Sequence, residues 1–205
     1  MNRLELADAL GRLGTSTVYE AAGKAGDMGP AIRQIVPGTR FAGIAVTLRI
    51  WTGDTLGVLH AIDKAAPGSV LVIDSGGTDR AAVWGGTSSL ACMAKGIRAC
   101  VTNGSVRDVD EMVELKFPVY ASGVSPRGTM KNHPGWHGLP ISVGDCVVNS
   151  GDIVIGDSDG VLVVPPHGAE EVLARAKLQD EKQRDRDARA KSGETLASIL
   201  GLNKA

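Results

Sequence analysis

Aromatic residues are nearly absent from this sequence: two Phe, two Tyr and three Trp make up 3% of 205 residues. That excludes the stacking platform that holds single-stranded nucleic acid. It also leaves Ala, Val, Leu and Ile to build the core. Cysteine is scarce too. Cys92, Cys100 and Cys146 are odd in number and lack CxxC spacing, which argues against a disulfide or zinc framework and suits small core residues in a reducing compartment. No window approaches the ~20 apolar residues of a transmembrane helix. The acidic, amphipathic start MNRLELADALGRLG has neither the apolar run nor the small-residue cleavage site of a signal peptide. A net charge of -1 gives no general attraction to nucleic acid or to an anionic membrane. A cytoplasmic protein that binds neither is expected.

What the sequence does have is glycine, 27 of them, so the chain turns often and lets backbones approach closely. Its length fits one domain with an arm. Leu4, Leu6, Ala9, Leu10 and Leu13 recur at helical spacing and stop at Gly14. A second helix is expected after Thr15-Ser16-Thr17, with Ser16 or Thr17 as N-cap, running to Ala25. Residues 43–50 (GIAVTLRI) and 70–74 (VLVID) read as strands, with a helix at 54–66 between them that Asp54 caps and Pro67-Gly68 stops. Strands follow at 97–102 and 118–121, with a short acidic helix at 109–115 between them. Residues 141–148 and 152–155 are β-rich, and 160–164 is a last strand. The segment 125–138, SPRGTMKNHPGWHG, is a polar loop broken by Pro and Gly, of a kind that carries or covers a site. Asp157 and Asp159 do not complete an EF-hand loop and read as turn residues.

From Ala169 to Lys191 one long helix is expected. It is apolar only in its first turns and almost wholly charged from Asp180 on, so its outer part is a solvated face or an arm on another subunit. Early alternation of helix and strand, then a run of strands, indicates an α/β fold with more than one sheet layer. The chain divides into a domain at 1–168 and a charged helix and tail at 169–205.

The chemistry gathers in residues 82–108, AVWGGTSSLACMAKGIRACVTNGSVRD. Gly85, Gly86, Thr87 and Ser88 form a turn that can open a helix, whose first unpaired N–H groups bind anions. It is not a Walker A loop, since Lys95 is misplaced, and it does not fit GxGxxG. At the other end, Asp108 can ligate a hard divalent cation through oxygen, and Arg107 can hold a carboxylate bidentately. Together they suit an oxo-acid. No Gly-x-Ser-x-Gly elbow is present. His60, His133, His137 and His167 are scattered, with Pro134 and Gly135 separating the middle two. A Schiff-base lysine at 64, 95 or 131 has no signature that sequence alone would reveal.

The ordered pieces APGSVLVIDSGG (66–77), AVWGG (82–86), KGIRACVTNGSVRDVDEM (95–112), FPVYASGVSPRG (117–128) and SGDIVIGDSDGVLVVP (150–165) resemble the RraA-like proteins. Weaker matches at 16–23 and 37–48 extend the likeness over nearly the whole chain. That family includes 4-hydroxy-4-methyl-2-oxoglutarate aldolase and the regulator of ribonuclease E activity A. The resemblance implies a ββα sandwich of swivelling-domain type, homotrimers or hexamers, and a site between subunits. For the aldolases it implies a class II pyruvate aldolase (a lyase) using Mg²⁺ or Mn²⁺, with oxaloacetate decarboxylase side activity. By position, Asp108 would hold the metal and Arg107 would bind the pyruvyl end. Amides around Gly86, Thr87 and Ser88 would take the carboxylate, and Glu181 of the charged helix would reach a neighbour's site. The sequence departs from the family at Gly86, where the aldolases carry an acidic residue, and at Asn103, where Asp is usual. A non-catalytic regulator of an RNA-degradation enzyme, or a lyase for another small hydroxy- or keto-acid, are the alternatives.

Overall fold

The computed structural model describes residues 1–77 and 80–202. Taken in chain order, α1 (Arg3–Leu13) and α2 (Thr15–Ala21) lead into β1 (Arg33–Gln34) and the long β2 (Phe41–Arg49). Next come α3 (Leu56–Lys64), β3 (Ser69–Asp74), β4 (Ala82–Trp84) and α4 (Gly86–Ala94). β5 (Ala99–Thr102), β6 (Ser105–Val106), α5 (Val109–Leu115), β7 (Val119–Ala121) and β8 (Gly123–Val124) follow. The last part holds β9 (Trp136–His137), β10 (Ile141–Val143), β11 (Cys146–Val148), β12 (Ile153–Asp157), β13 (Gly160–Val164), α6 (Ala169–Lys191) and α7 (Leu196–Ile199).

The main sheet runs β1-β7-β5-β3-β2-β12-β13, with β9 paired to the end of β2. Its centre is parallel, β2 with β3, β3 with β5 and β5 with β7, while β1, β12 and β13 join antiparallel. Both faces are covered, so β3 is apolar without alternation and buried throughout. Leu71 and Ile73 face a core made with α3, α4 and α5. Val70 and Val72 face the β10–β11 hairpin on the opposite side. A third core joins α1, α2 and the first turns of α6 to β12 and β13. This is the layered α/β sandwich that the resemblance implied.

The second helix differs from expectation. Gly14 occupies its N-cap, so Thr15, Ser16 and Thr17 all lie inside it, and it ends at Ala21. The reason is tertiary: the Asp157 carboxylate accepts from the Thr15 backbone N–H (2.8 Å) and Oγ1 (2.6 Å), supplying the cap from the β12–β13 turn. Asp157 is thereby a capping residue rather than a metal ligand. The β-rich stretch at 141–148 is two strands, because the chain reverses at Gly144-Asp145. The long helix spans Ala169–Lys191, burying Ala169, Val172, Leu173 and Ala176 and leaving the rest in contact with solvent. Among the described residues no helix is long and apolar enough to cross a membrane.

The three thiols are free. Burial pushes Cys92 up to about 12 and Cys146 up to about 11, and raises Cys100 well above the usual thiol range. A thiolate is the reactive form. At pH 8 a disulfide reagent is therefore expected to leave Cys92 and Cys100 untouched and to modify half-buried Cys146 slowly. All three should react once denaturant unfolds the chain, and rapid native-state labelling of Cys92 would contradict the packing.

Candidate functional site

Two short strands, invisible to periodicity, assemble the site. β4 and β6 pair in parallel, with Trp84 opposite Val106. Each strand ends at the same level and each is followed by a helix. The pairing therefore lays Gly85-Gly86, at the start of α4, beside Arg107-Asp108, at the start of α5. The Arg107 N–H donates to the Trp84 carbonyl at 3.0 Å and closes the junction.

Asp108 occupies the N-cap position of α5 in the left-handed region, at φ 57° and ψ 43°. Asp tolerates that region better than most residues, yet the strain is of order 1 kcal/mol or more. Its side chain does not cap α5. It turns instead to α4, where Oδ2 accepts from the Gly86 N–H at 3.3 Å. Gly85 makes this approach possible, since a Cβ added there would stand 2.5 Å from the same Oδ2. Of the first-turn amides expected to hold an anion, Gly86 is thus already engaged by Asp108. Those of Thr87 and Ser88 remain. The Arg107 Nε lies 3.7 Å from Asp108 Oδ2, with both side chains about half exposed.

Gly85, Thr87, Ser88, Arg107 and Asp108 all line one cavity of about 260 Å³. Gly86 is buried and is not part of its lining. Glu181 does not reach it in a single chain, and lines a separate depression on α6 with Asp185 and Arg189. Val58 and Leu59 of α3 form an apolar wall, and Thr55, Thr129 and Lys131 complete the rim. A larger cavity of about 690 Å³ beside α2 and β13 contains Asp27, Arg33 and Asp159 but none of the residues that the sequence assigns to the oxo-acid site. The smaller cavity has the convergent donors, so chemistry rather than volume selects it.

Lys131, one of three lysines left open in the sequence as a Schiff-base candidate, stands at this rim through a buried anchor. The Asp54 carboxylate, fully buried, accepts from Leu56 N–H (2.9 Å), Asn132 N–H (2.7 Å) and His133 N–H (3.2 Å). Burial alone would raise its pKa, but these amide donors outweigh burial and hold it below the ordinary value of 3.8. The N-cap of α3 is thus Thr55 rather than the expected Asp54, which serves the first helical N–H from the preceding position and also ties down the loop after Thr129. No sequence spacing links residues 54 and 132. His133 and His137 are both exposed, and Trp51 and Trp136 meet near them on the surface with their rings tilted at 36°.

Because the folded pKa is lowered, Asp54 contributes stability above its unfolded pKa and loses it as pH falls through the folded value. Asp54→Ala is expected to lower stability by about 1–3 kcal/mol at pH 7, by stranding buried amides. In urea unfolding the gap between the two proteins should persist at pH 4 and shrink only as pH falls below 3.8, through the lowered folded pKa. An unchanged midpoint at pH 7 would refute the anchor.

The sequence pattern of the RraA-like family, described as Aldolase/RraA, matches residues 6–163. This chain belongs to the RraA-like family. A relative from Halalkalibacterium halodurans, provisionally named 4-hydroxy-4-methyl-2-oxoglutarate aldolase, is 32% identical over 87% of this chain and 83% of its own length. An uncharacterized protein from Pseudomonas syringae pv. tomato superposes with a TM-score of 0.83 at 28% identity, covering 96% of each chain. The RNA-processing inhibitor RraA from Thermus thermophilis superposes with a TM-score of 0.69, also at 28% identity, over 74% of this chain and 92% of that one. The RraA-like chain thus has relatives named for an enzyme and for an inhibitor, and its own pocket has to separate the two.

Proposed function

We propose that this RraA-like protein is a carbon–carbon lyase that cleaves 4-hydroxy-4-methyl-2-oxoglutarate, or a closely similar 4-hydroxy-2-oxo acid, to pyruvate, and that also decarboxylates oxaloacetate. The observation that carries this reading is the meeting of Arg107, Asp108 and the open first turn of α4 in one cavity. An inhibitor acting through its outer surface has no use for a strained Asp108 aimed into a cleft.

The donor set fits Mg²⁺ or Mn²⁺. Among the described residues no three His, Cys, Asp or Glu converge on a point. A hard ion held by one carboxylate, by several waters and by the substrate itself needs no more than Asp108. Bound there, such an ion would act as a Lewis acid toward the 2-oxo group.

The chain's own groups account for the remaining work. The Thr87 and Ser88 amides hold the C1 carboxylate at the positive end of α4. The Arg107 guanidinium donates to the pyruvyl oxygens and stabilises the negative charge that grows there as the C3–C4 bond breaks. Lys131 offers a second cation to the substrate's second carboxylate, and Val58 and Leu59 pack against the 4-methyl group. The 4-hydroxyl proton leaves to water, the bond electrons pass into the enolate, and a proton returned to C3 completes the second pyruvate. Glu181 enters this scheme only from another copy, consistent with exposed Leu178, Leu196 and Leu200 along the C-terminal arm. A homo-oligomer is therefore part of the proposal.

Incubating the protein with Mg²⁺ or Mn²⁺ and substrate, with pyruvate read by a coupled dehydrogenase, tests the reading. Metal-dependent release is expected, faster for the substrate with a second carboxylate than for a 4-hydroxy-2-oxo acid without one. No turnover and no metal-dependent exchange of the pyruvate methyl protons would sink it.

A further inference from the structure

Position 86 lacks a side chain, and the space in front of it is not empty. A Cβ built on Gly86 falls on the carboxyl group of Glu111, overlapping its carbon and Oε2 and standing 2.8 Å from Oε1. Glu111 is the third residue of α5, one turn beyond Asp108. At that place a glutamate ordinarily reaches back to the N-cap backbone of its own helix or stays in solvent. Glu111 instead lies across the first turn of α4, and makes no hydrogen bond or ion pair with any described residue. The Asp108 carboxylate meets the same turn from the adjacent position, against Gly85. Two carboxylates carried by α5 therefore converge on the two glycines that open α4, and each glycine is where a side chain would displace one of them.

We propose that Glu111 is the positioning carboxylate of this site, delivered from α5, and that Gly86 is glycine in order to admit it. The inference rests on the lyase reading above. Glu111 has no partner among the described residues to satisfy its oxygens, which leaves them to water at the first turn of α4, where the Asp108 carboxylate also lies. Water held there is oriented toward the ion that Asp108 would bind and toward the substrate's 4-hydroxyl. In the cleavage the hydroxyl proton passes to that water and is returned to C3, while the C3–C4 electron pair becomes the enolate, so nothing beyond substrate is consumed.

The test pairs Mn²⁺ titration, followed by electron paramagnetic resonance, with pyruvate kinetics on the full chain. Outer-shell carboxylates typically affect metal affinity or rate by about 10–100-fold. Glu111→Gln and Glu111→Ala are expected to weaken Mn²⁺ binding and lower kcat within that range, without changing the melting temperature, because Glu111 is exposed. Gly86→Asp alone should also lose activity, since its side chain displaces Glu111 and sets like charges together. The double variant Gly86→Asp/Glu111→Ala, which moves the carboxylate from α5 to α4, is expected to recover at least tenfold over Glu111→Ala. Wild-type behaviour of Glu111→Ala, or a double variant no better than Glu111→Ala, would overturn the role. If Asp108→Asn weakens Mn²⁺ binding while Glu111→Gln does not, Glu111 fails and the site stands. If wild type binds Mn²⁺ no better than Asp108→Asn does, both fall together.

Discussion

Arg107→Ala and Asp108→Asn are each expected to lower kcat/KM for pyruvate release by about 10²–10³-fold, the loss seen when one preorganised charge-stabilising group is removed. Both side chains are about half exposed and their mutual contact is long at 3.7 Å. An ion pair of that kind adds little to stability, so neither variant should move the melting temperature appreciably. The choice of Asn matters. Residue 108 sits at φ 57°, where Asn is tolerated about as well as Asp, whereas Ala would add backbone strain and blur the result. Arg107→Lys preserves the charge but not the planar pair of donors, and should recover only a small part of the activity. Turnover of Arg107→Ala at the wild-type rate would remove the guanidinium from the mechanism.

Trp84→Ala is expected to destabilise the fold by about 3–5 kcal/mol, as large aromatic truncations in cores do. The melting temperature should fall by roughly 10 °C for a chain of this size. Trp84 is 2% exposed, stacks on Phe117 with ring centres 6.2 Å apart, and donates from Nε1 to Ser89 Oγ at 2.8 Å. Ser89 in turn bonds the Gly85 carbonyl through Oγ (3.2 Å) and its backbone N–H (3.1 Å). The indole therefore steadies the N-cap of α4, Gly85, which itself lines the pocket. Trp84→Phe keeps most of the packing but removes the donor to Ser89 Oγ, which keeps its bond to the Gly85 carbonyl, so its stability loss should be smaller, about 1–3 kcal/mol. Differential scanning calorimetry of the two variants checks the order. A Trp84→Ala protein melting with wild type would mean that the stack carries no weight.

Long periodic segments were readable in advance. The α6 span matches the expected helix, whose first turns carry apolar residues at helical spacing, and the short acidic α5 matches its expected 109–115 as well. The strand at 70–74 was readable for a different reason: a β-branched run buried on both faces needs no alternation. Strands of two or three residues, such as β4, β6 and β8, have no period to detect. They exist only because neighbouring backbones supply their hydrogen bonds.

The same division runs through residues 82–108. The chain itself determined which chemistry was available: glycines that open a helix, an arginine and an aspartate side by side, and no competing nucleophile or metal motif. Those are properties of residue type and short spacing, which survive any fold. Tertiary structure decided everything that depends on distance between remote backbones. Pairing of β4 with β6 brought the glycine turn to Arg107-Asp108. The buried Asp54 carboxylate carried Lys131 to the rim, and α5 swung Glu111 over Gly86. Sequence read the missing side chain at 86 as a gap. The fold filled it from a helix that starts more than twenty residues later, because a glycine leaves room that only a neighbour in space can use.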